Sequence, residues 1–156
     1  MIISTCNRTE IYFEFENHIG DEKKFLHSIV KELSEFRSFK DSLSPYLTKK
    51  TGSYEVAKHL FRLVSGLESM MIGEFQIVEQ LKEAYYFSRD KKMLGPILSR
   101  MIQKSLETGK YIRTNTEIGK GAVSVSYAAI EEITKRFDLS LSAFLCVGLG
   151  ETSKLS

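Results

Sequence analysis

The sequence contains few of the residues that cross-link a chain or interrupt its regular structure. Its 156 residues include no tryptophan, two prolines and two cysteines. Two cysteines are too few for the disulfide framework of a small secreted domain, so we expect reduced thiols and a cytoplasmic protein. The first residues lack a charged segment followed by a long apolar one, and we therefore expect no signal peptide.

Long apolar runs and an excess of one charge are also missing. No stretch reaches the roughly 18 to 20 apolar residues that span a bilayer, so we expect no membrane segment. Lys and Arg number 22 against 20 Asp and Glu, a net charge of +2, which does not by itself indicate a nucleic-acid-binding protein. With 42% hydrophobic and 27% charged residues, the chain has the composition of a globular domain. We expect no metal site in it.

The first half of the chain predicts a small sheet followed by a helix. Residues 2–3 and 11–15 are rich in β-branched and aromatic types and favour strands, with a polar island at residues 4–10 between them. A helix should begin near Asp21, with a buried face formed by Phe25, Leu26, Ile29, Val30, Leu33 and Phe36. Residues 38–53 are polar, contain Pro45 and predict a connection.

From residue 53 onward the apolar pattern is almost entirely helical. Four helices are predicted, and their buried stripes are Val56, Leu60, Leu63, Val64 and Leu67; Ile77, Leu81, Ala84, Tyr85 and Ser88; Ile97, Met101, Ser105 and Ile112; and Val125, Ala129, Ile130, Ile133 and Phe137. Pro96 suits the first turn of the third of these helices. The fold class is therefore α/β in the broad sense: an α+β domain, mostly helical after residue 53, with a small incomplete sheet.

The last residues change in character. An apolar run at residues 141–147 leads into Gly148-Leu149-Gly150, as a strand leads into the phosphate loop of a Rossmann domain. Ser153 stands at the third glycine position, and the sequence ends before the roughly 30 residues of a βαβ unit. We expect residues 1–138 to form one domain and residues 139–156 to be the truncated start of a second, poorly packed from about residue 140.

Two side chains are candidates for chemistry. Cysteines are most often small buried hydrophobes, but Cys6 has polar neighbours, and the guanidinium of Arg8 would favour its nucleophilic thiolate form. His59 lies at the border of an apolar helix face, where it is either a packed residue or a proton donor and acceptor near neutral pH. We expect His18 and His27 to be surface residues and Cys146 to be buried and inert.

The segment from Ser65 to Gln80 is the most unusual in composition. Gly66 and Gly73 bracket a turn between two helices, and four polar residues crowd around it: Ser69, Glu74, Gln76 and Gln80. One interpretation is a capped helix-helix corner with solvated side chains. The other is a small polar pocket that recognises an amino acid.

Four segments resemble those of one enzyme family, the glutamyl-tRNA reductases. Ser-Thr-Cys-Asn-Arg-Thr-Glu-Ile-Tyr at residues 4–12 resembles the active-site segment, and residues 59–77, from His-Leu-Phe-Arg to Gly-Glu-Phe-Gln-Ile, resemble the family signature. Residues 116–129 are similar to the stretch that links the catalytic and nucleotide domains, and Gly-Leu-Gly-Glu-Thr at 148–152 to the start of the NADPH domain. The four occur in the family's order and approximate spacing.

The resemblance implies NADPH-dependent reduction of glutamyl-tRNA to glutamate-1-semialdehyde, the first step of tetrapyrrole biosynthesis. Cys6 would be the nucleophile that holds glutamate as a thioester, and His59 would assist proton transfer. The glutamyl group would be held by Thr5, Asn7, Arg8, Ser69, Glu74, Phe75, Gln76 and Gln80. The NADPH phosphates would lie on Gly148, Leu149, Gly150, Glu151, Thr152 and Ser153. Implied partners are glutamyl-tRNA, the downstream aminomutase and, at full length, a second copy of the chain.

The sequence departs from the family pattern in three places. Only five residues precede Cys6, where the family has a further strand and helix; Phe75 stands at a usual proline; and most of the NADPH domain and the C-terminal dimerisation region are missing. We therefore expect a fragment that forms the thioester without completing hydride transfer. The alternative is a non-catalytic module that binds tRNA or a partner, through a basic patch at Arg100, Lys104, Lys110 and Arg113 on the long helix.

Overall fold

The computed structural model describes residues 1–5, 7–15, 22–36, 38–39, 43–69, 73, 75–119, 125–138, 140–145 and 147. These residues form two short strands, five α-helices and two 3₁₀ turns, which confirms the mixed and mostly helical fold class. The elements are β1 (Ile2–Ser4), β2 (Thr9–Ile11), α1 (Glu22–Phe36), a 3₁₀ turn (Ser44–Tyr46), α2 (Ser53–Val64), α3 (Gln76–Asp90), α4 (Pro96–Asn115), a second 3₁₀ turn (Glu117–Gly119) and α5 (Val125–Arg136).

The two strands form an antiparallel hairpin across the polar island. Ile2 lies opposite Ile11 and Ser4 opposite Thr9, and the Thr5 amide donates to the Arg8 carbonyl oxygen at 2.8 Å. The predicted second strand at residues 11–15 is wrong in its bounds, because β2 pairs only where β1 faces it and ends at Ile11. The polar island therefore supplies most of the second strand.

The core lies where the hairpin and helices α2, α3 and α4 meet. Ile3 on β1 is 2% exposed, and Leu60, Leu81 and Ile102, one from each helix, are fully buried. Most of the predicted stripes on α2 and α3 are confirmed by the buried residues Leu60, Leu63, Val64, Ile77, Leu81, Tyr85 and Ser88. Leu67 is an exception, since it follows the end of α2 and is 41% exposed.

The predicted stripe on α4 is correct at Ser105, which is fully buried, and wrong in the first turns of the helix. Leu98 and Ile102 are buried, whereas the predicted Ile97 is 61% exposed. Apolar residues occur here in adjacent pairs, so helical spacing alone does not decide which of each pair faces inward. Gly109 completes the buried face, because a Cβ at this position would come within 2.8 Å of the Val64 carbonyl oxygen on α2.

Helices α1 and α5 form as predicted, but their apolar faces are at most half-buried among the described residues. Phe36 is 81% exposed, and Ile130 and Phe137 are 40% and 54% exposed. On α1, Phe25 contacts the rings of Phe13 and Phe15 at centroid distances of 4.9 and 5.0 Å. An amphipathic pattern indicates which face a helix could bury, but whether that face is covered depends on residues elsewhere in the chain.

The apolar run near the end of the chain is exposed and belongs to no strand at its described residues, 140–145 and 147. Leu141, Leu145 and Val147 are between 85% and 89% exposed. The predicted strand is therefore wrong over these residues, since a strand requires a paired neighbour, whereas the predicted poor packing is confirmed. The phosphate-loop residues 148–153 and Cys146 lie outside the described residues, and the division into two domains stays a prediction. None of the helices that the described residues form has the length and apolar character needed to cross a membrane.

Candidate functional site

A carboxylate on the hairpin, Glu10, is the acceptor for three side chains. His59 Nε2 lies 3.0 Å from Glu10 Oε2, and the hydroxyl of Tyr12 donates to the same oxygen. Arg8 Nη1 donates to Glu10 Oε1 at 3.3 Å. Arg8, Glu10 and Tyr12 lie two residues apart, so the alternation of an extended chain places them on one face. His59 comes from the middle of α2, and the cluster therefore joins the hairpin to the helical core.

The donors hold Glu10 in its ionised form. Burial alone would raise the pKa of this carboxyl group, but the hydrogen bonds from His59 and Tyr12, the positive charge of His59 and the Arg8 hydrogen bond together lower it to about 2. Burial and the adjacent carboxylate raise the pKa of Tyr12 well above its usual value, so its hydroxyl remains a donor. At neutral pH, Glu10 is a fixed negative charge that accepts hydrogen bonds and donates none.

The imidazole of His59 has one nitrogen engaged and one unengaged. Its side chain is 14% exposed, and Nδ1 is buried without a hydrogen-bond partner among the described residues. Buried polar atoms in folded proteins almost always have a partner, so an orphan of this kind suggests a site at which something else binds. His59 was predicted at the border of the apolar face of its helix, and the structure confirms that position.

Arg8 links the hairpin to the turn that follows α2. Its Nη2 donates to the carbonyl oxygen of Glu68, 60 residues away. The side chain of Glu68 in turn accepts from Arg62 Nε at 2.5 Å, and this hydrogen bond is the main cause of the lowered pKa of Glu68. Arg8 was predicted to help hold a glutamyl group, but two of its nitrogens already have partners in the folded chain, so it also has a structural role.

A cavity of about 260 Å³ opens beside His59. It is lined by Lys50, Glu55, Lys58, His59, Arg62 and Glu68. Three cationic side chains against two carboxylates give this cavity a small positive excess, although the Arg62–Glu68 pair satisfies one charge of each sign. The imidazole thus stands between the Glu10 carboxylate and an open, mostly polar space.

The two predicted glutamines are not joined to this cluster. No hydrogen bond among the described residues connects Gln76 or Gln80 with Arg8, Glu10 or His59. Gln76 is the exposed first residue of α3, and Gln80 is half-buried one turn later.

The other predicted substrate residues lie in three separate places. Phe75 packs against the core, with the guanidinium of Arg113 4.9 Å from its ring centroid. The Thr5 hydroxyl accepts from the Asn7 and Arg8 amides at 3.2 and 3.0 Å, which shapes the turn, and Asn7 itself is exposed. Ser69 is half-buried in the turn after α2.

Several predicted site residues lie outside the described residues, so their roles stay predictions. These are Cys6, Glu74, Gly148, Leu149, Gly150, Glu151, Thr152 and Ser153. Of the remaining histidines, His27 is on the surface as predicted, and His18 lies outside the described residues. No group of three or more potential metal ligands occurs in the described part of the chain.

Sequence reasoning missed the central carboxylate. Glu10 lies in the segment at residues 4–12 that resembles the family's active-site segment. Its two-residue spacing from Arg8 and Tyr12, which places the three side chains on one face of an extended chain, could have indicated it. No sequence pattern indicates the contact between Glu10 and His59 or the contact between Arg8 and Glu68, since these residues are 49 and 60 positions apart. The cavity beside His59 depends on the same long-range packing.

The basic patch of the alternative hypothesis is not a cluster of four free cations. Lys104 pairs with Glu107 at 2.5 Å, and Arg113 lies over Phe75. Arg100 and Lys110 are exposed on α4. Two of the four cations of the predicted patch are therefore engaged with other side chains of the described residues.

Comparison with known proteins identifies the family. Residues 1–116 match the model of the glutamyl-tRNA(Glu) reductase N-terminal domain. The chain is 40% identical to the glutamyl-tRNA reductase of Aquifex aeolicus over 158 aligned residues, which cover all of this chain and 37% of the relative. It is 39% identical to that of Bacillus subtilis, covering all of this chain and 34% of the relative.

A third relative gives the same result, and no solved structure matches the chain. The glutamyl-tRNA reductase of Pseudomonas putida strain F1 is 37% identical over 99% of this chain and 35% of its own length. The chain thus spans about a third of the length of the curated relatives it matches. Because the family match covers residues 1–116 and includes the whole Arg8–Glu10–His59 cluster, the chain belongs to the glutamyl-tRNA reductase family, in its N-terminal domain.

Proposed function

We propose that this chain takes the glutamyl group of glutamyl-tRNA onto Cys6 as a thioester. The observation that carries the proposal is the cluster of Arg8, Glu10 and His59, built on the segment that contains Cys6 and open to a polar cavity. A nucleophilic thiol requires a nearby proton acceptor and a positive charge that favours the thiolate. His59 and Arg8 are residues of the two types required.

The proposed reaction conserves protons and bonds. The Cys6 thiol gives its proton to His59, and the sulfur attacks the carbonyl carbon of the glutamyl ester. The bond from that carbon to the ribose oxygen then breaks, and the ribose oxygen takes the proton from His59 as it leaves with the tRNA. The thioester that remains is less stabilised by resonance than an oxygen ester, so it accepts a hydride more readily.

The substrate's charges suggest where its parts bind. Arg8 would attract the side-chain carboxylate of the glutamyl group, with Thr5, Asn7, Ser69, Glu74, Phe75, Gln76 and Gln80 as further proposed contacts. The cavity beside His59 would receive the ribose and phosphate end of the tRNA, because Lys50 and Lys58 give it two cationic groups in addition to the Arg62–Glu68 pair. His59 would then lie between the two parts of the substrate, where the ester bond is.

The remaining assignments extend the proposal to the whole protein. Residues 1–138 would be the catalytic domain and residues 139–156 the start of an NADPH domain, with Gly148, Leu149, Gly150, Glu151, Thr152 and Ser153 on the phosphates. NADPH, when bound, supplies the hydride that releases glutamate-1-semialdehyde. Such a protein would act in the cytoplasm as a homodimer, at the first step of tetrapyrrole biosynthesis, and pass its product to the aminomutase.

The experiment is acyl transfer from tRNA charged with radiolabelled glutamate. We expect label on the protein that hydroxylamine removes, and none on Cys6→Ser. His59→Asn should slow the transfer while leaving tRNA binding intact, because the proposed role of His59 is to move a proton. Cys146→Ser is the matched control, since it removes the other cysteine of the chain.

Two outcomes would contradict the proposal. Label that persists unchanged in Cys6→Ser would assign the nucleophile elsewhere. Salt-dependent tRNA binding without any acyl transfer, with Cys6 intact, would favour the non-catalytic binding module instead.

A further inference from the structure

Glu10 and His59 have complementary hydrogen-bonding states. An ionised carboxylate has no proton to donate, so the proton in the 3.0 Å contact between Glu10 Oε2 and His59 Nε2 must be on the imidazole. The alternative, a protonated Glu10, is opposed by Arg8 and Tyr12, which both direct donors at the carboxylate. The hydrogen-bond network therefore determines which nitrogen of His59 carries hydrogen.

The second nitrogen has no competing partner. Nδ1 is buried and unbonded among the described residues. A neutral imidazole with hydrogen on Nε2 has its lone pair on Nδ1 and can accept a proton there. The opposite tautomer would set the Nε2 lone pair against the Glu10 carboxylate and leave a buried N–H without an acceptor, and both changes are unfavourable.

We propose that Glu10 is a positioning residue that holds His59 as the Nε2–H tautomer, so that Nδ1 is the nitrogen that exchanges protons in the site. The catalytic use of Nδ1 rests on the proposed acyl transfer, whereas the tautomer itself does not. Tyr12 and Arg8 act on His59 only through Glu10, because each donates a hydrogen bond to one oxygen of its carboxylate. The Glu10 carboxylate thus binds one nitrogen of the His59 ring, Nε2, and leaves the other nitrogen, Nδ1, for proton exchange.

The direct test is the tautomer of His59, measured by long-range ¹H–¹⁵N correlation spectra of the ¹⁵N-labelled 156-residue chain, at a pH where the imidazole is neutral. We expect Nε2 to resonate as the protonated nitrogen and Nδ1 as the unprotonated one. A native chain with the proton on Nδ1 would overturn the proposal. His27, which is exposed, provides an internal reference for an unconstrained imidazole.

Variants test whether Glu10 is the cause. Glu10→Gln should replace the single tautomer with a mixture, because a neutral amide can accept from Nε2 or donate to it. Glu10→Asp keeps the charge and should retain the native tautomer at least in part, and it serves as the second variant if Glu10→Gln does not fold. Glu68→Gln is the matched control, because it removes a nearby carboxylate that bonds to Arg62 and makes no hydrogen bond to His59. An unchanged His59 tautomer in Glu10→Gln, or an equal change in Glu68→Gln, would overturn the proposal.

The kinetic readout separates this inference from the proposed function. General acid–base catalysis contributes roughly 10²- to 10⁴-fold, and misorienting the base should lose part of it. We expect Glu10→Gln to lower the acylation rate at saturating glutamyl-tRNA by about 10-fold to 100-fold, with little change in the half-saturating concentration and partial recovery in Glu10→Asp. The predicted tautomer in a chain that transfers no glutamate would refute the proposed function alone, and the wrong tautomer in an active chain would refute this inference alone.

Discussion

The carboxylate of Glu14 occupies the space that a side chain at Gly95 would need. Its Oε2 accepts a hydrogen bond from the Leu98 amide at 2.5 Å, across 84 residues of sequence. A Cβ on Gly95 would come within 1.7 Å of Glu14 Oε1. Glu14 thus caps the first turn of α4 from the segment after β2, and the missing side chain at Gly95 makes this approach possible.

Gly95→Ala should destabilise the chain although its backbone angles suit alanine. The added methyl group displaces Glu14 and breaks the cap, which costs about 1 kcal/mol. Urea unfolding measures the difference. In a double-mutant cycle, Gly95→Ala should cost little once Glu14→Ala has removed the carboxylate, and fully additive losses would contradict the proposed contact.

Gly109→Ala should also destabilise, against the usual preference of helices for alanine. The new Cβ would lie 2.8 Å from the Val64 carbonyl oxygen, so α2 and α4 must separate. We expect the crowding to cost more than the helix propensity returns, with a net loss of about 2 kcal/mol in the free energy of unfolding. Lys110→Ala, at the exposed next position, is the control and should change the free energy by less than about 0.5 kcal/mol.

Glu10 should stabilise the folded chain in a pH-dependent way. The pKa of Glu10 is lowered to about 2 from an ordinary value of 4.5, so its ionised form contributes fully above about pH 4.5 and the contribution is lost as the pH falls toward about 2. We expect Glu10→Gln to cost about 2 kcal/mol at neutral pH, and the gap to the native chain to close over that interval.

The measurement is the free energy of unfolding in urea at several pH values between neutral and about 3. Glu79→Gln is a suitable comparison, because this exposed carboxylate pairs with Lys82 on the surface of α3 and such pairs contribute at most about 1 kcal/mol. A gap between native chain and Glu10→Gln that is constant with pH would refute the role of the Glu10 charge.

Amide hydrogen exchange should divide the chain into two classes. Leu141, Phe144 and Leu145 are exposed, and residues 141–145 belong to no helix or strand, so their amides should exchange rapidly. Amides near the buried Val64, Leu81 and Ile102 should exchange most slowly, because opening them requires the core to unfold. Strong protection over residues 141–145 would show that something covers them.

The cavity beside His59 should contribute to tRNA recognition. Lys58→Glu reverses the charge of an exposed side chain in its lining, and we expect a higher half-saturating concentration of glutamyl-tRNA with a salt dependence reduced by about one counterion. Lys110→Glu makes the same change on the outer face of α4. A larger loss from Lys110→Glu than from Lys58→Glu would favour the basic patch on the long helix.

The sequence was sufficient for the parts of the fold that depend on local periodicity. The stripe from Leu60 to Val64 and the stripe from Ile77 to Ser88 were both predicted, because each follows a single helical spacing and is buried by its immediate neighbours. The stripe on α4 failed where apolar residues stand side by side at Ile97 and Leu98. Gly109 could not be found from a hydrophobic pattern either, although a side chain at this position would collide with Val64 on α2.

The candidate site, like the fold, could be predicted from the sequence only where local patterns determine it. His59 and Arg8 could be named from residue type and neighbourhood, whereas the partner that connects them could not. Glu10 acquires its importance from a contact with α2, 49 positions along the chain, and no local pattern encodes that distance. The cap from Glu14 to Leu98 is a second example of a contact that only the folded chain creates.

The link from Arg8 to the Glu68 carbonyl and the link from Glu10 to His59 both cross from the hairpin to α2 and the turn after it. The proposed acyl transfer would therefore depend on one packing contact, in which the first dozen residues lie against α2 and the turn that follows it. A chain with its helices formed and this segment detached would keep most of its ellipticity and lose the contact between Glu10 and His59. The proposed acyl transfer would then report the packing of the N-terminal segment more sensitively than any spectroscopic measure of helix content.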